Sequence, residues 1–388
     1  MPRGDKPYRV YRGGRTKGRV PLATRPETKP EAPSDGRARY RGPGPKRQRR
    51  PRWRWRWGWR RGVLVVLVAV LLLLLAWGIA SYLAFSSGVN AAKERLPERA
   101  KRALAPQDGL LLSNPTYILV MGTDHAGTRD RRGLRHSDSL MVLRTDPGRH
   151  RLTYVSILRD LRVEIPGVGT QKINAATQFG GPALAIRTVR AVTGFPINHV
   201  VTVDFADFRD LIDEIGGITV DVPRPILSNP FDCPYSPARC ARWRGWRFAK
   251  GKQHLDGRRA LVYSRIRENR LDPSDSDATR ASHQQQVVQA IGGKLTSPGM
   301  LMRLPFMGGD VMKPVATDFS AWQLVQLGWV KFRAGNTLHC RLGGIASGGF
   351  IVPDEEFPKT LLMVAGKSAA QPPPPGSPYG SGCSSNAL

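Results

Sequence analysis

The chain has 388 residues, room for one large domain with appendages. Its formal net charge of +30 is unevenly spread, because residues 1–62 hold 21 Lys/Arg against four Asp/Glu. That segment is rich in Gly and Pro and poor in aliphatic residues. It cannot bury enough apolar surface to offset ordering entropy, which excludes a packed domain there and predicts a disordered basic segment.

Residues 63–85 then run for 23 positions without a charge, VLVVLVAVLLLLLAWGIASYLAF. As a helix this stretch measures roughly 34 Å, enough to cross a hydrocarbon core. It has no polar stripe, as a buried core helix should, and it is too long for the apolar part of a signal peptide. We expect a single transmembrane helix. Arg52, Arg54, Arg56, Arg60 and Arg61 precede it, whereas charges of both signs follow it from Lys93 to Arg102. The positive-inside rule therefore predicts a cytoplasmic amino terminus, with residues 86–388 outside. Trp53, Trp55, Trp57 and Trp59 alternate with arginines and suit the headgroup zone of membrane lipids. The same alternation is compatible with nucleic acid. Its position against the span favours anchoring, and no nucleic-acid partner is expected.

Residues 86–114 read as a stalk of mixed charge. The folded domain is expected over 115–365. Apolar runs at 116–121, 140–145 and 152–158 predict strands, the last two joined as a hairpin by the turn signal DPGRH at 146–150. Helical spacing follows over 182–194, then a strand at 200–205, a helix at 208–215 and a strand at 218–222. Further helices are expected at 255–266, 279–295 and 319–332. Strands alternating with helices predict an α/β fold, a sheet covered by helices. From about 366 the chain runs into QPPPPGSPYGSG and is expected to be a disordered tail.

The four cysteines fit an oxidising compartment. Cys233 and Cys240 bracket a Pro-containing loop, and a local disulfide is expected there; zinc is not, since no second ligand pair lies nearby. Cys340 and Cys383 can pair as well, although the second falls in the low-complexity tail. Connectivity stays open at this point.

A spaced set of polar residues carries the chemistry. Asp124 and Asp138 each stand at the boundary of an apolar strand, and two carboxylates placed so suit a hard cation such as Mg²⁺. Arg159 follows the run VSIL. Arg265 and Arg267 are two apart, so they reach one ligand only if a helix ends there and the chain becomes extended. Arg280 and Gln284 are four apart and share a helical face. Arginine forks match phosphate oxygens. Each residue alone is also compatible with an ordinary turn or a solvated surface charge. Gathered in one cleft, they point to metal-assisted phosphoryl chemistry.

Read in order, these motifs resemble the LytR-CpsA-Psr (LCP) family of cell-envelope enzymes. The resemblance covers roughly 117–295 and rests on ILVMGTD at 118–124, SDSLMVL at 137–143 and VSILRD at 155–160. KINAATQFGGP at 172–182 and DEIGGITVDVP at 213–223 add to it, as do GKQHLDGRRALVYSRIR at 251–267 and DATRASHQQQ at 277–286. It implies a mixed central sheet sandwiched by helices, with a long apolar pocket for a polyprenyl tail. It implies transfer of a glycopolymer from a polyprenyl pyrophosphate carrier to a peptidoglycan hydroxyl, with pyrophosphate hydrolysis as a side reaction. Wall teichoic acid, capsule and arabinogalactan are all polymers used in such families. Asp124 and Asp138 would bind Mg²⁺. Arg159, Arg265, Arg267, Arg280 and Gln284 would hold the pyrophosphate, with Lys172 supporting, and Asp124, Asp138, Arg159, Arg265 and Arg267 would act in catalysis.

The chain departs from the family pattern where His136 and His283 stand in place of arginines, and where Leu158 replaces the proline before Arg159-Asp160. The histidines are expected to weaken phosphate binding, or to make it pH-dependent near neutrality, or to serve as polar donors with little effect. Two readings compete with the enzyme: a membrane-bound transcriptional regulator and a non-catalytic envelope scaffold. The span argues against the first, and the retained arginines and aspartates argue against the second.

Overall fold

The computed structural model of the protein describes residues 54–124, 136–273, 275 and 277–385. The expected disorder of the basic segment falls, up to residue 53, outside them.

The first element is helix α1 (Arg54–Arg95). Its part Gly58–Arg95 is long and apolar enough to cross a membrane and contains the span expected from the sequence. The side chains from Val63 to Leu75 are exposed. The same helix then runs on into packed protein. Val89 and Ala92 are fully buried, and Arg95 donates to the carbonyls of Met312 and Val315. Helix α2 (Glu98–Lys101) follows and buries Ala100. Leu111 is buried too, its amide donating to Gln326 Oε1 at 3.0 Å. The expectation of a stalk over 86–114 is thus corrected. Its small and apolar residues are spaced to fill a groove, and the mixed charge that suggested a spacer lies on the outer face.

Strands β1 (Thr116–Asp124), β2 (His136–Asp146) and β3 (Arg151–Ile157) form an antiparallel meander. The expected hairpin is present between β2 and β3, closed by a 3₁₀ turn at Pro147–Arg149 and by His150 in the left-handed region. A small hairpin, β4 (Arg162–Ile165) and β5 (Gly169–Lys172), leads into helix α3 (Ala175–Thr193). Then come β6 (Ile197–Asp204), α4 (Phe205–Glu214), β7 (Ile218–Val222), β8 (Ile226–Leu227), α5 (Pro237–Cys240), β9 (Arg247–Phe248) and β10 (Gly251–Leu255). Helices α6 (Gly257–Arg265), α7 (Asp277–Leu295) and α8 (Pro298–Met307) follow. The rest comprises β11 (Val315–Thr317), α9 (Ala321–Arg333), β12 (Asn336–Leu342), β13 (Gly344–Ser347), β14 (Phe350–Pro353), α10 (Glu356–Val364) and β15 (Gly382–Ser384).

The main sheet is mixed, in the order β11-β6-β1-β2-β3-β12-β15. β1 runs parallel to β6, and β3 parallel to β12. Alternation along the strands sorts side chains to two faces. Leu119, Met121, Leu140 and Val142 pack under α3 and α10, together with Ala185, Val189, Phe357 and Met363. Ile118, Met141, Leu152 and Tyr154 face the other way, towards Phe319, Val330 and Val288. The expected arrangement of helices on both sides of a mixed sheet is therefore present.

Two expectations need revision. Residue 255 ends strand β10, which pairs with β7, and the helix starts only at Gly257. Asp256 caps it, accepting from the Arg259 amide at 2.7 Å. Of the region 366–388, expected to be disordered, residues 366–385 are held within the fold. β15 pairs with β12, Cys383 is fully buried, and its sulfur is bonded to Cys340. A proline run has no apolar periodicity, so composition could not show that its far end is stapled to the sheet. The expected bond between Cys233 and Cys240 is also present.

Candidate functional site

The strand registers bring five chain segments to one edge of the sheet. β1, β3, β6 and β12 end there, and β2 begins there. Asp124 is the last residue of β1. Gly122 pairs with Ser139 and Thr123 with Ser137, which leaves Asp138 as the extra residue of a β-bulge. A bulge turns a strand locally and re-aims what it carries. Asp124 and Asp138 are thus adjacent in backbone position; their side chains lie outside the described set, as do that of His136 and the whole of Arg135. A third carboxylate, Asp204, ends β6 beside Thr123. The sequence reading passed over it, although an aspartate closing the apolar run VVTV carries the same signal as Asp124.

The loop after β3 supplies the next groups. The Arg159 carbonyl accepts from the Asn174 amide at 3.3 Å, and that of Leu161 from Ile173 at 2.9 Å. These bonds fold the end of β5 back on the loop. Lys172 consequently reaches Asp160, Nζ to Oδ1 at 2.9 Å, while Arg159 Nε lies 3.4 Å from Oδ2. Burial alone would raise the Asp160 pKa. The Lys172 hydrogen bond and the charges of Arg159, Lys172 and Arg280 outweigh it and hold the carboxyl below its ordinary value. Asp160 is therefore an anion that fixes the direction of two cations, a role the sequence did not assign to it.

Helix α7 crosses the sheet above this loop. Its Gln285 is almost fully buried and donates to Ser156 Oγ at 2.9 Å and to the Cys340 carbonyl at 2.8 Å. One residue earlier, Gln284 Oε1 accepts from Ser139 Oγ at 3.0 Å, and its amide donates to the Ser264 carbonyl at 3.3 Å. Gln284 thereby ties the neighbour of the Asp138 bulge to the neighbour of Arg265. Arg280 lies one helical turn before it and is 5% exposed.

Arg265 is the last residue of α6. Close approach of α6 to α4 sets its position: a Cβ on Gly257 would lie 2.2 Å from the Arg209 carbonyl oxygen, so only glycine fits. The Arg265 guanidinium pairs with Asp232 and lies 5.5 Å from the Phe205 ring centre and 5.7 Å from that of Phe231. Asp232 adopts a left-handed backbone and directly precedes the disulfide-closed loop Cys233 to Cys240. Ile266 is extended, as the sequence argument required, and Arg267 beyond it is solvent-exposed.

His283 is corrected. Its ring is buried 4.3 Å from the Tyr263 ring, not in the cleft. Burial, and then the charge of Arg224, lower its pKa to about 4. It is a neutral packing residue at pH 7, so neither the expected phosphate donor nor the expected titration near neutrality is found.

A cavity of about 390 Å³ is lined by Arg187, Arg190, Gly194, Phe195 and Pro196. It lies where α3 ends and β6 begins, at the opposite edge of the sheet from the arginine loop. It is not the long apolar pocket that the resemblance implies. Among the described residues, no group of three or more His, Cys, Asp or Glu is placed to hold a metal.

A sequence model of the LytR_cpsA_psr family matches residues 80–334, well over half of the chain. The chain belongs to the LytR_cpsA_psr family. Relatives include the polyisoprenyl-teichoic acid–peptidoglycan teichoic acid transferase TagV of Bacillus subtilis (strain 168). It is 33% identical over 247 residues, which are 62% of this chain and 60% of TagV. The corresponding transferase TagU of Bacillus cereus (strain AH820) is 32% identical over 253 residues, 64% of this chain and 76% of TagU. The crystal structure of B. subtilis TagV superposes with a TM-score of 0.52 at 29% identity, covering 66% of this chain and 99% of that one. This LytR_cpsA_psr chain thus spans about three fifths of the length of full TagV.

Proposed function

We propose that this protein is a membrane-anchored phosphotransferase. It moves a glycopolymer from a polyprenyl pyrophosphate carrier to a hydroxyl of peptidoglycan outside the cell. One observation carries the reading. A member of a family whose named relatives are teichoic acid transferases gathers Arg159, Lys172, Arg280, Gln284 and Arg265 around the sheet edge that bears Asp124 and Asp138. The apolar helix α1 supports the anchor. The two disulfides support an extracytoplasmic domain.

The chemistry follows from charge and position. An acceptor hydroxyl attacks the phosphorus that bears the sugar. The new oxygen–phosphorus bond forms as the bond to the second phosphate breaks, and polyprenyl phosphate leaves. Arg159 and Arg280 neutralise the carrier's phosphate oxygens, with Asp160 fixing the direction of Arg159. Arg265 and Arg267 close the other side of the same site. Asp124 or Asp138 takes the proton of the attacking hydroxyl. Asp124 and Asp138, whose backbones lie at adjoining strand positions, would hold Mg²⁺ as two hard oxygen donors. A bound Mg²⁺ would supply Lewis-acid stabilisation of phosphate charge. Water in place of the acceptor would give pyrophosphate hydrolysis as the side reaction.

Purification of the full chain in detergent, followed by mass spectrometry of retained lipid, tests the reading. A polyprenyl phosphate or its glycosylated pyrophosphate is the expected result, and the headgroup would name the polymer. Retention of ordinary phospholipid alone, with no transfer from a synthetic polyprenyl pyrophosphate saccharide, would reject it.

A further inference from the structure

The short helix α8 buries Met300 in the core and turns two other apolar side chains to the outside. Met302 is 67% exposed and Phe306 85% exposed. They are four apart and share one face of the helix. Single exposed apolar side chains are ordinary; a phenylalanine almost wholly exposed beside an exposed methionine is an unpartnered face. Its location identifies what covers it.

Two glycines, Gly308 and Gly309, directly follow α8, and they seat it against the end of the apolar span. A Cβ on Gly88 would lie 2.7 Å from Gly309 Cα, and one on Gly309 would lie 3.7 Å from the Ala84 carbonyl oxygen. The backbones of α1 and of the turn after α8 are therefore in direct contact. Ala84 lies inside the uncharged run 63–85, and Gly88 stands three residues beyond it, roughly 4.5 Å further along the helix axis. Next to Met302, the exposed Arg303 has a stem and charge suited to phosphate headgroups. Lys313 beyond the turn is also exposed, its side chain 75% accessible.

We propose that α8 lies in the headgroup layer of the bilayer, with Met302 and Phe306 immersed among the acyl chains and Arg303 at the phosphates. The proposal rests on the reading of α1 as a membrane span. Interfacial helices of this kind sink their apolar face about 5–10 Å into the boundary between headgroups and acyl chains. Here the depth is set by the glycine contact with the span and needs no second anchor.

Collision accessibility of spin labels tests this. All four native cysteines are in disulfides, so a single introduced thiol can be labelled. The full chain carries Phe306→Cys, Leu72→Cys within the span, or Ala191→Cys at an exposed position of α3 at the other edge of the sheet. Each is reconstituted into vesicles of phosphatidylethanolamine and phosphatidylglycerol. For Phe306→Cys, the ratio of collisions with oxygen to collisions with a water-soluble nickel chelate is expected to rise severalfold above that of Ala191→Cys, towards that of Leu72→Cys. A ratio equal to that of Ala191→Cys, with Leu72→Cys still in lipid, overturns the proposal and leaves the anchor standing. Shielding of Phe306→Cys from both reagents overturns it in favour of a protein partner. A nickel-accessible Leu72→Cys removes the span itself, and this proposal with it.

Discussion

The ring of His283 packs, tilted by 32°, 4.3 Å from that of Tyr263, whose hydroxyl donates to Gln286 Oε1 at 2.7 Å. This contact locks α6 to α7 and takes the imidazole out of the cleft. The unfolded imidazole gains its proton near pH 6.5, whereas the buried one, desolvated and near Arg224, waits until about 4. The unfolded state therefore binds more protons in that window. Stability from this group is complete above about pH 6.5 and falls as pH drops, on the order of 3 kcal/mol lower by pH 4. Thermal melts at pH 7 and pH 5 should show a smaller pH dependence for His283→Phe than for wild type. An unchanged slope would remove His283 from the account.

Arg159→Ala should lower transfer about a hundredfold, the roughly 3 kcal/mol typical of one lost transition-state donor. Melting should stay near wild type, since Arg159 caps no core element. Asp160→Asn should also slow transfer, by releasing Arg159 and Lys172 from a shared anion. Single-turnover rates on a polyprenyl pyrophosphate substrate measure both. Wild-type rates in Arg159→Ala would reject its place at the phosphate.

Gln284→Ala breaks two links at once, to Ser139 and to Ser264. Its effect should be on kcat more than on KM, because it holds the bulge and Arg265 in register without changing the net charge. A rise in KM alone would make Gln284 a simple binding contact.

Asp138→Ala should abolish the Mg²⁺ dependence of transfer and leave a low, metal-independent residue of activity. Isothermal titration of Mg²⁺ into wild type and variant gives the same answer without turnover. Equal Mg²⁺ affinity in both would sink the metal assignment.

Cys383→Ser opens a covalent loop of 43 residues' separation and frees β15 from β12. A loss of about 2–4 kcal/mol in unfolding free energy is expected by denaturant titration. Cys240→Ser opens a separation of only seven residues. Its main effect should be on activity, through Asp232 and Arg265.

Much of the central sheet was legible because its strands are short apolar runs with clear turn signals: β1, β2, β3 and β6 lie near their expected places, as does β7 outside that sheet. The end of α6 at Arg265 lies one residue before the expected bound of 266 and meets the condition that two arginines two apart set for sharing a ligand. The pairing of Asp160 with Lys172 was not legible, since a hairpin of eleven residues folds back to make it and no local pattern encodes that return. His283 was misread because its residue type suggested a polar donor, while its burial is set by Tyr263, twenty positions away. The segment beyond 336 was largely missed. β12 and β15 pair with distant partners, and a disulfide replaces the apolar period that would have announced the last strand.

Helix α1 enters the folded protein without a joint, secured by Arg95 on two carbonyls and by the glycine contact at Gly88. A domain on a loose tether sweeps a wide radius, whereas one rigidly continuous with its anchor keeps a single height and heading. With α1 in a bilayer, the arginine-lined edge would be held at one distance from the lipid. On the proposed function, an acceptor would have to come within one domain's thickness of the lipid to be modified.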